Sequence, residues 1–300
     1  MSEARMRHYG VFYGLDPLPD NDGRPLVLLH GNCQAESLRV LLGAPDSPVR
    51  TVRIPPAHEL VHSDLPHLHR LIGSSDIIVS QPIRPAYRGL PLGTAEVIAM
   101  ARPGCRLVMV PVIRYAALHP YQVIIRSAEA GEPPIVPYHD LRTLAEADGA
   151  GAVPPPPAAA VRAVRDISIR ELRQRQQRHA TIDVVDLLQE AGLDACHVIN
   201  HPGNPVLRGV ARKIFKKMNF HQAVPDPGRI LLDSVHAPVA REVITALGLE
   251  GEETTGWRVH GQSVSDETIR TAHLDWYRRH PQVVRQGLQR HAETARLLLG

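Results

Sequence analysis

Apolar and polar positions come in blocks along the first half of the chain. The runs at 26–30, 49–54, 76–80 and 106–111 are short, rich in Val, Ile and Leu, and bounded by turn-forming residues, which predicts buried strands. Between them, 35–42, 65–72 and 94–101 carry apolar side chains at the three-to-four-residue spacing of helices. Strands separated by helices predict an α/β fold: a parallel sheet flanked by helices, with ligands in the loops at the carboxyl ends of the strands. In the second half, 161–190 reads as largely helical, 196–199 as a short strand and 205–219 as a helix with Pro205 in its first turn. Helices are further expected over 239–247 and 265–280, and a last one from Pro281 to Leu299, so that 239–300 reads as a helical C-terminal part. The four prolines of GAGAVPPPPAA, 149–159, cannot sit in a helix interior and predict an extended connector within a single α/β domain spanning 1–300.

Composition narrows the function classes. With 43% apolar residues the chain can bury a sizeable core. No run approaches the ~18 apolar residues of a membrane span, and MSEARMRHYG lacks the apolar stretch of a signal peptide, so a cytoplasmic protein is expected. Cys33, Cys105 and Cys196 are odd in number and far apart, which argues for reduced thiols and against a disulfide framework or a Cys-rich zinc site. A net charge of +3 with 4% aromatic residues argues against nucleic-acid binding. His58, His62, His67 and His69 cluster, but Pro66 interrupts them and no HExxH pattern is present, so no metal is expected.

One segment combines these patterns with chemistry. In VLLHGNCQAESLRVLL, Val27 to Leu42, the first strand ends in Gly31 and turns at once into a helix. That geometry sets the next side chains beside unpaired N–H groups and the positive end of the helix dipole, where a thiolate or a developing oxyanion is favoured. Cys33 has that position. Asn32 and Gln34 add side-chain amides able to donate to an oxyanion or orient a carbonyl. A small thiol packed beneath a glycine turn has the same local sequence, and a catalytic cysteine needs in addition a base or cationic partner. HVINHPGNPVL supplies one: an apolar run, then Asn200-His201-Pro202-Gly203-Asn204, then a helix. His201 would meet Cys33 if both strands end at the same edge; alone, it reads as a loop histidine bonded to a carbonyl. Cys105 and Cys196 lie in apolar, strand-like runs and read as packing residues.

HGNCQ after the first strand, QPIRPAYRG at 81–89, NHPGN before a helix and WRVHGQSVSDETIRTAHLDWYRRHP near the end together resemble the WcbI family of polysaccharide-biosynthesis proteins, over about residues 26–285. The resemblance implies a coenzyme A-binding α/β protein, expected to be an acetyltransferase acting on capsular sugars. The layout is also distantly similar to SGNH hydrolases, a three-layer, flavodoxin-like plan with a nucleophile turn after the first strand and a late Asp-x-x-His-Pro. Cys33 stands in the serine's place and His201-Pro202 matches the late His-Pro, but Val198 stands where the acid would be. The expectation is therefore a Cys33–His201 dyad, its imidazole oriented by a backbone carbonyl or by a carboxylate elsewhere.

Coenzyme A, or acyl-coenzyme A as co-substrate, is a polyanion with a flexible arm, so its site should offer separated cations and an apolar slot. The only lysines of the chain, Lys213, Lys216 and Lys217, fall together in GVARKIFKKMNF. On a helical wheel they share one face with Arg212, while Leu207, Ala211, Ile214, Phe215 and Met218 share the other. The loop after the third strand offers Gln81, Arg84, Tyr87 and Arg88, and arginine's planar fork suits phosphate. Arg114 and Tyr115, past the fourth strand, are of the same kind. A solvated basic helix face and a proline-braced surface turn are the structural explanations of the same residues. The function expected is acyl transfer, most simply acetyl, from coenzyme A to a hydroxyl or amine of a saccharide or other small-molecule acceptor. The rivals are a thioesterase or deacylase, in which water replaces the acceptor, and a non-catalytic coenzyme A-binding protein.

Overall fold

The computed structural model, which describes residues 2–151 and 153–300, opens with two short helices, α1 (Glu3–His8) and α2 (Gly10–Tyr13). Strands and helices then alternate: β1 (Leu26–His30), α3 (Cys33–Leu42), β2 (Arg50–Thr51), α4 (Leu65–Ser74), β3 (Ile77–Ser80), α5 (Thr94–Ala99) and β4 (Arg106–Met109). All pairings are parallel and the order across the sheet is β2-β1-β3-β4. The strand expected over 49–54 keeps only two paired residues. Pro55 and Pro56 have no N–H to extend the ladder, and the chain bends toward the end of β1, where the Ala57 N–H donates to the Gly31 carbonyl at 2.8 Å.

Leu26, Leu28 and Ile78 lie on one face of the sheet and join Leu68, Leu71 and Ile72 of α4 and Phe12 of α2 in one buried cluster. Val27, Leu29 and Val79 are equally buried and take the opposite face by the two-residue alternation of a strand. Because the chain leaves β1 for β2 on one side and returns to β3 on the other, the carboxyl ends of β1 and β3 flank the point where the order reverses. That is where open α/β sheets bind ligands.

Beyond β4, β5 (Gln122–Val123) and β6 (His139–Asp140) pair antiparallel ahead of α6 (Leu141–Ala147). The described residues of the proline-rich stretch ahead of α7 (Ala158–His179) form no helix or strand; Ala152, inside the expected connector, lies outside the described residues. The helical stretch expected over 161–190 is two helices, α7 and α8 (Val185–Glu190). Ala180 takes a left-handed φ of 49°, and the Asp183 carboxylate accepts both the Gln176 amide and the Val185 N–H, which ends one helix and starts the next. β7 (Cys196–Val198) and β8 (His201–Pro202) pair antiparallel, and α9 (Asn204–Lys217) follows.

The last segment comprises β9 (Val235–His236), α10 (Arg241–Leu247), β10 (Trp257–Val259), β11 (Gln262–Val264), α11 (Asp266–Arg279), α12 (Pro281–Arg290) and α13 (Ala292–Leu299). The reading of 239–300 as helical omits a hairpin: β10 and β11 close on His260 and Gly261, both with positive φ, as a tight two-residue turn requires, and β9 joins them. The single final helix expected from Pro281 is broken at His291 into α12 and α13.

These elements form two compact units. One comprises residues up to Val112 with Arg173–Leu187 and Asn204–Leu231; the other comprises Ile113–Leu172, Leu188–Gly203 and Leu232–Gly300. The proline-rich stretch lies inside the second. Among the described residues no helix is long and apolar enough to cross a membrane.

Candidate functional site

Cys33 is the first residue of α3, in the first unit, at the switch point beside β1. The turn is tied internally. Asn32 caps the helix, its side-chain oxygen accepting the Gln34 N–H at 2.9 Å, and the Ala35 N–H donates to the Asn32 carbonyl at 2.9 Å. The Asn32 N–H donates to Gln81 Oε1 at 2.8 Å, while Gln81 Nε2 donates to Gln34 Oε1 at 3.4 Å. Gln81 is buried, so this residue from the end of β3 braces the turn that follows β1. Gly31 makes room for it, since a Cβ there would lie 2.4 Å from Gln81 Oε1. Gln34 is also buried, whereas Asn32 and Cys33 are half-exposed. With its oxygen fixed as the cap, Asn32 keeps Nδ2 as the donor that can face a ligand.

From the same sheet edge the chain leaves β3 into the 81–89 loop. Ala86, Arg88 and Gly89 all have left-handed backbones, and the Glu96 carboxylate accepts the N–H groups of Ala86 and Gly93. Tyr87 is half-buried against the core cluster around α4, whereas Arg84 and Arg88 are exposed and form no ion pair among the described residues. The loop is thus a braced platform with two outward guanidiniums.

α9 is amphipathic as its sequence predicts: Leu207, Ala211, Ile214, Phe215 and Met218 are buried and the helix packs along α3. Its basic face is partly neutralised. Lys213 Nζ lies 2.6 Å from Asp186 and donates to the Asp183 carbonyl at 2.9 Å. Lys216 and Lys217 are exposed in the last turn, where positive charge offsets the helix dipole, and Arg106 donates to the Lys217 and Met218 carbonyls. Arg114 is exposed and Tyr115 buried, both in the second unit; burial pushes the Tyr115 phenol up to about 12. Cys196 is buried and its thiol pushed up by burial, and Cys105 is half-buried with its thiol also raised by burial.

His201 sits in β8 of the second unit, buried, its Nε2 3.4 Å from the Tyr138 hydroxyl. Burial is the main cause that pulls its pKa down to about 4; His236 adds to this, and the Leu232 backbone opposes it only partly. The ring is therefore neutral at pH 7 and able to accept a proton. Among the described residues no carboxylate forms an ion pair or hydrogen bond with it.

The carboxylate–histidine pair of this region is elsewhere. His236 Nε2 lies 2.6 Å from Asp233 Oδ1, Arg258 reaches the same oxygen at 2.6 Å, and the His236 ring stacks on His197 with centroids 4.0 Å apart. The signal was in the sequence: Asp233-Ser-Val-His236 has the Asp-x-x-His spacing sought around Val198 and His201. Among the described residues no group of three His, Cys, Asp or Glu could hold a metal ion.

The family described as "Polysaccharide biosynthesis enzyme WcbI" matches residues 26–223 of the chain. Comparison with curated protein sequences gives no match. Among solved structures, one superposes with a TM-score of 0.75 at 18% identity, covering 92% of this chain and 98% of its own. It is described as WcbI, a novel polysaccharide biosynthesis enzyme, in its native form without a disulfide bond between coenzyme A and one of its cysteines. At that identity the likeness establishes a common fold.

Proposed function

The chain belongs to the WcbI family of polysaccharide biosynthesis enzymes, and from that premise we propose that it moves an acyl group, most simply acetyl, from coenzyme A to a hydroxyl or amine of a saccharide or similar acceptor. One observation carries this function: Cys33 opens a helix at the β1/β3 switch point, beside a braced loop that presents Arg84 and Arg88. The similar solved structure, described with coenzyme A and a cysteine, supports the choice of donor. The reaction is set in the cytoplasm, where acyl-coenzyme A is made.

In this mechanism the Cys33 thiol gives its proton to a histidine as its sulfur attacks the thioester carbonyl, the carbon–sulfur bond to coenzyme A breaks, and the histidine returns the proton so that the coenzyme leaves as a thiol. The acceptor then attacks the acyl-cysteine, losing its proton to the same histidine, and the carbon–sulfur bond to Cys33 breaks as that proton returns to its sulfur. Asn32 Nδ2 donates to the tetrahedral oxyanion in both steps. One such donor is typically worth about 100- to 1,000-fold in rate. Arg84 and Arg88 meet the coenzyme's phosphates, with Lys216, Lys217 and Arg114 as secondary cations and Tyr87 beside them. His201 is the first choice of base because burial keeps it neutral. A second choice rests on geometry: His236, held by Asp233, has the orienting carboxylate that His201 lacks.

Native mass spectrometry of the protein with acetyl-coenzyme A tests both donor and route. The expected result is a bound coenzyme and an acetyl adduct that disappears in Cys33→Ala. Product analysis with candidate acceptors separates transfer from hydrolysis: free acetate formed at the same rate with and without acceptor makes the protein a thioesterase. Coenzyme binding with no turnover by the wild type makes it a binding protein.

A further inference from the structure

The second unit holds a cleft none of whose lining residues has a role in the mechanism above. Two recesses of about 430 and 390 Å³ share Gln122, Asp140, Arg142, Val153, Trp257 and Asp266 and form its two lobes. This is the size range of small-ligand sites.

Its charge is opposite to that of the chain. The whole sequence carries a net +3, yet the cleft is lined by six carboxylates, Asp140, Glu146, Glu242, Glu253, Asp266 and Glu267, against two cations, Arg142 and Arg270. Both cations are already engaged, Arg142 with Asp140 at 2.7 Å and Arg270 with Glu146 and Glu267. Glu242 and Glu253, in the second lobe, have no cation partner among the described residues. A polyphosphate would be repelled here and an ammonium attracted.

The cleft is more than an acidic rim. Tyr121, a lining residue of the second lobe, is only 7% exposed, and its buried hydroxyl has no hydrogen-bond partner among the described residues. It lies within the field of Arg142 and Asp140, and the Arg142 guanidinium covers its ring at 4.5 Å. In the first lobe His139, 1% exposed, likewise leaves Nε2 unpartnered. Buried polar atoms are normally satisfied, so unpartnered ones on residues that line a cleft are groups a small side-chain rotation would offer to a ligand's hydroxyls. Trp257, whose indole N–H donates to Asp266 at 2.6 Å, and Pro155 add the apolar walls that the C–H face of a sugar ring covers.

From these features we infer that the cleft binds an amino sugar, with the ammonium at Glu242 and Glu253 and ring hydroxyls at Tyr121 and Arg142. The ammonium serves recognition, which leaves a hydroxyl as the group to be acylated. Calling this ligand the acceptor rests on the transferase function proposed above; its binding does not.

Titration calorimetry of the wild type at mildly acidic pH with D-glucosamine, D-glucose and D-glucuronate tests it. Glucosamine is expected to bind about three- to fivefold more tightly than glucose, the range of exposed ion pairs, and glucuronate most weakly. The double variant Glu242→Gln/Glu253→Gln should remove the preference for glucosamine and leave glucose binding unchanged, and Tyr121→Phe should weaken both sugars. Equal binding of the three, a preference for glucuronate, or no saturation with any of them overturns the site. Cys33→Ala separates the two proposals: it should keep glucosamine binding. If the wild type binds glucosamine and moves no acyl group, the transferase function fails and the cleft stands; if it acylates an acidic sugar and ignores glucosamine, the reverse holds.

Discussion

Gln81 shows how a single side chain can set a reactive turn. Its carboxamide accepts the Asn32 N–H and donates a hydrogen bond to Gln34 Oε1, so removing it leaves a part-buried backbone donor without an acceptor. Gln81→Ala should cost about 1–3 kcal/mol in chemical denaturation and lower turnover more than coenzyme affinity. Gly31→Ala should reproduce the effect, because the new methyl displaces the same carboxamide. The base is tested by pH. His201 is pulled down to about 4, so it loses its accepting form only below that value, and the acid limb of kcat/KM should lie near pH 4 if it is the base. A larger loss from His236→Gln than from His201→Gln assigns the role to His236. At this scale the sequence marked Cys33 and Asn32 because a strand–Gly–helix turn is a local pattern. It could not show that Gln81 and Gln34 are turned inward, since burial of an amide depends on a neighbouring strand 49 residues away.

Among the elements, two basic segments compete for the coenzyme's phosphates. The loop after β3 leaves the sheet at the switch point with two exposed guanidiniums, whereas the lysines of α9 are partly spent, Lys213 on Asp186 and the others at the helix terminus. Replacing Arg84 and Arg88 together by Ala should weaken coenzyme A binding about 10- to 100-fold, each charge-assisted hydrogen bond being worth roughly 1.5–3 kcal/mol before losses to solvent. Replacing Lys216 and Lys217 should change it by less than about threefold. Equal losses from the two pairs would return the lysines to the site. The strands and helices of the first half were legible because their apolar periods are long and bounded by glycine and proline. The β10/β11 hairpin was not: three-residue strands flanked by helices are too short for alternation to stand out, and only the His260-Gly261 turn signals them.

At the level of the whole molecule the histidines are unevenly divided. His119, His139, His197 and His201 are all pulled down to about 4, mainly by burial, and all belong to the second unit; in the first, burial lowers His30. Unfolded, each titrates near 6.5, so the unfolded chain binds more protons in the interval between. Their contribution to stability is fully present above about pH 6.5 and is lost as pH falls toward 4, at up to about 1.4 kcal/mol per pH unit for each ring. Hydrogen exchange near pH 5 should show the second unit opening before the first; simultaneous opening would show that these rings do not control acid stability. The order of synthesis adds a further constraint. Helix α3 is complete at Leu42, but α9, which packs along it, begins about 160 residues later. At roughly 5–20 residues per second, translation leaves the α9-facing side of the nascent α3 uncovered for about ten to thirty seconds, so the segment that carries Cys33 holds an apolar face in water until the chain has grown past Lys217.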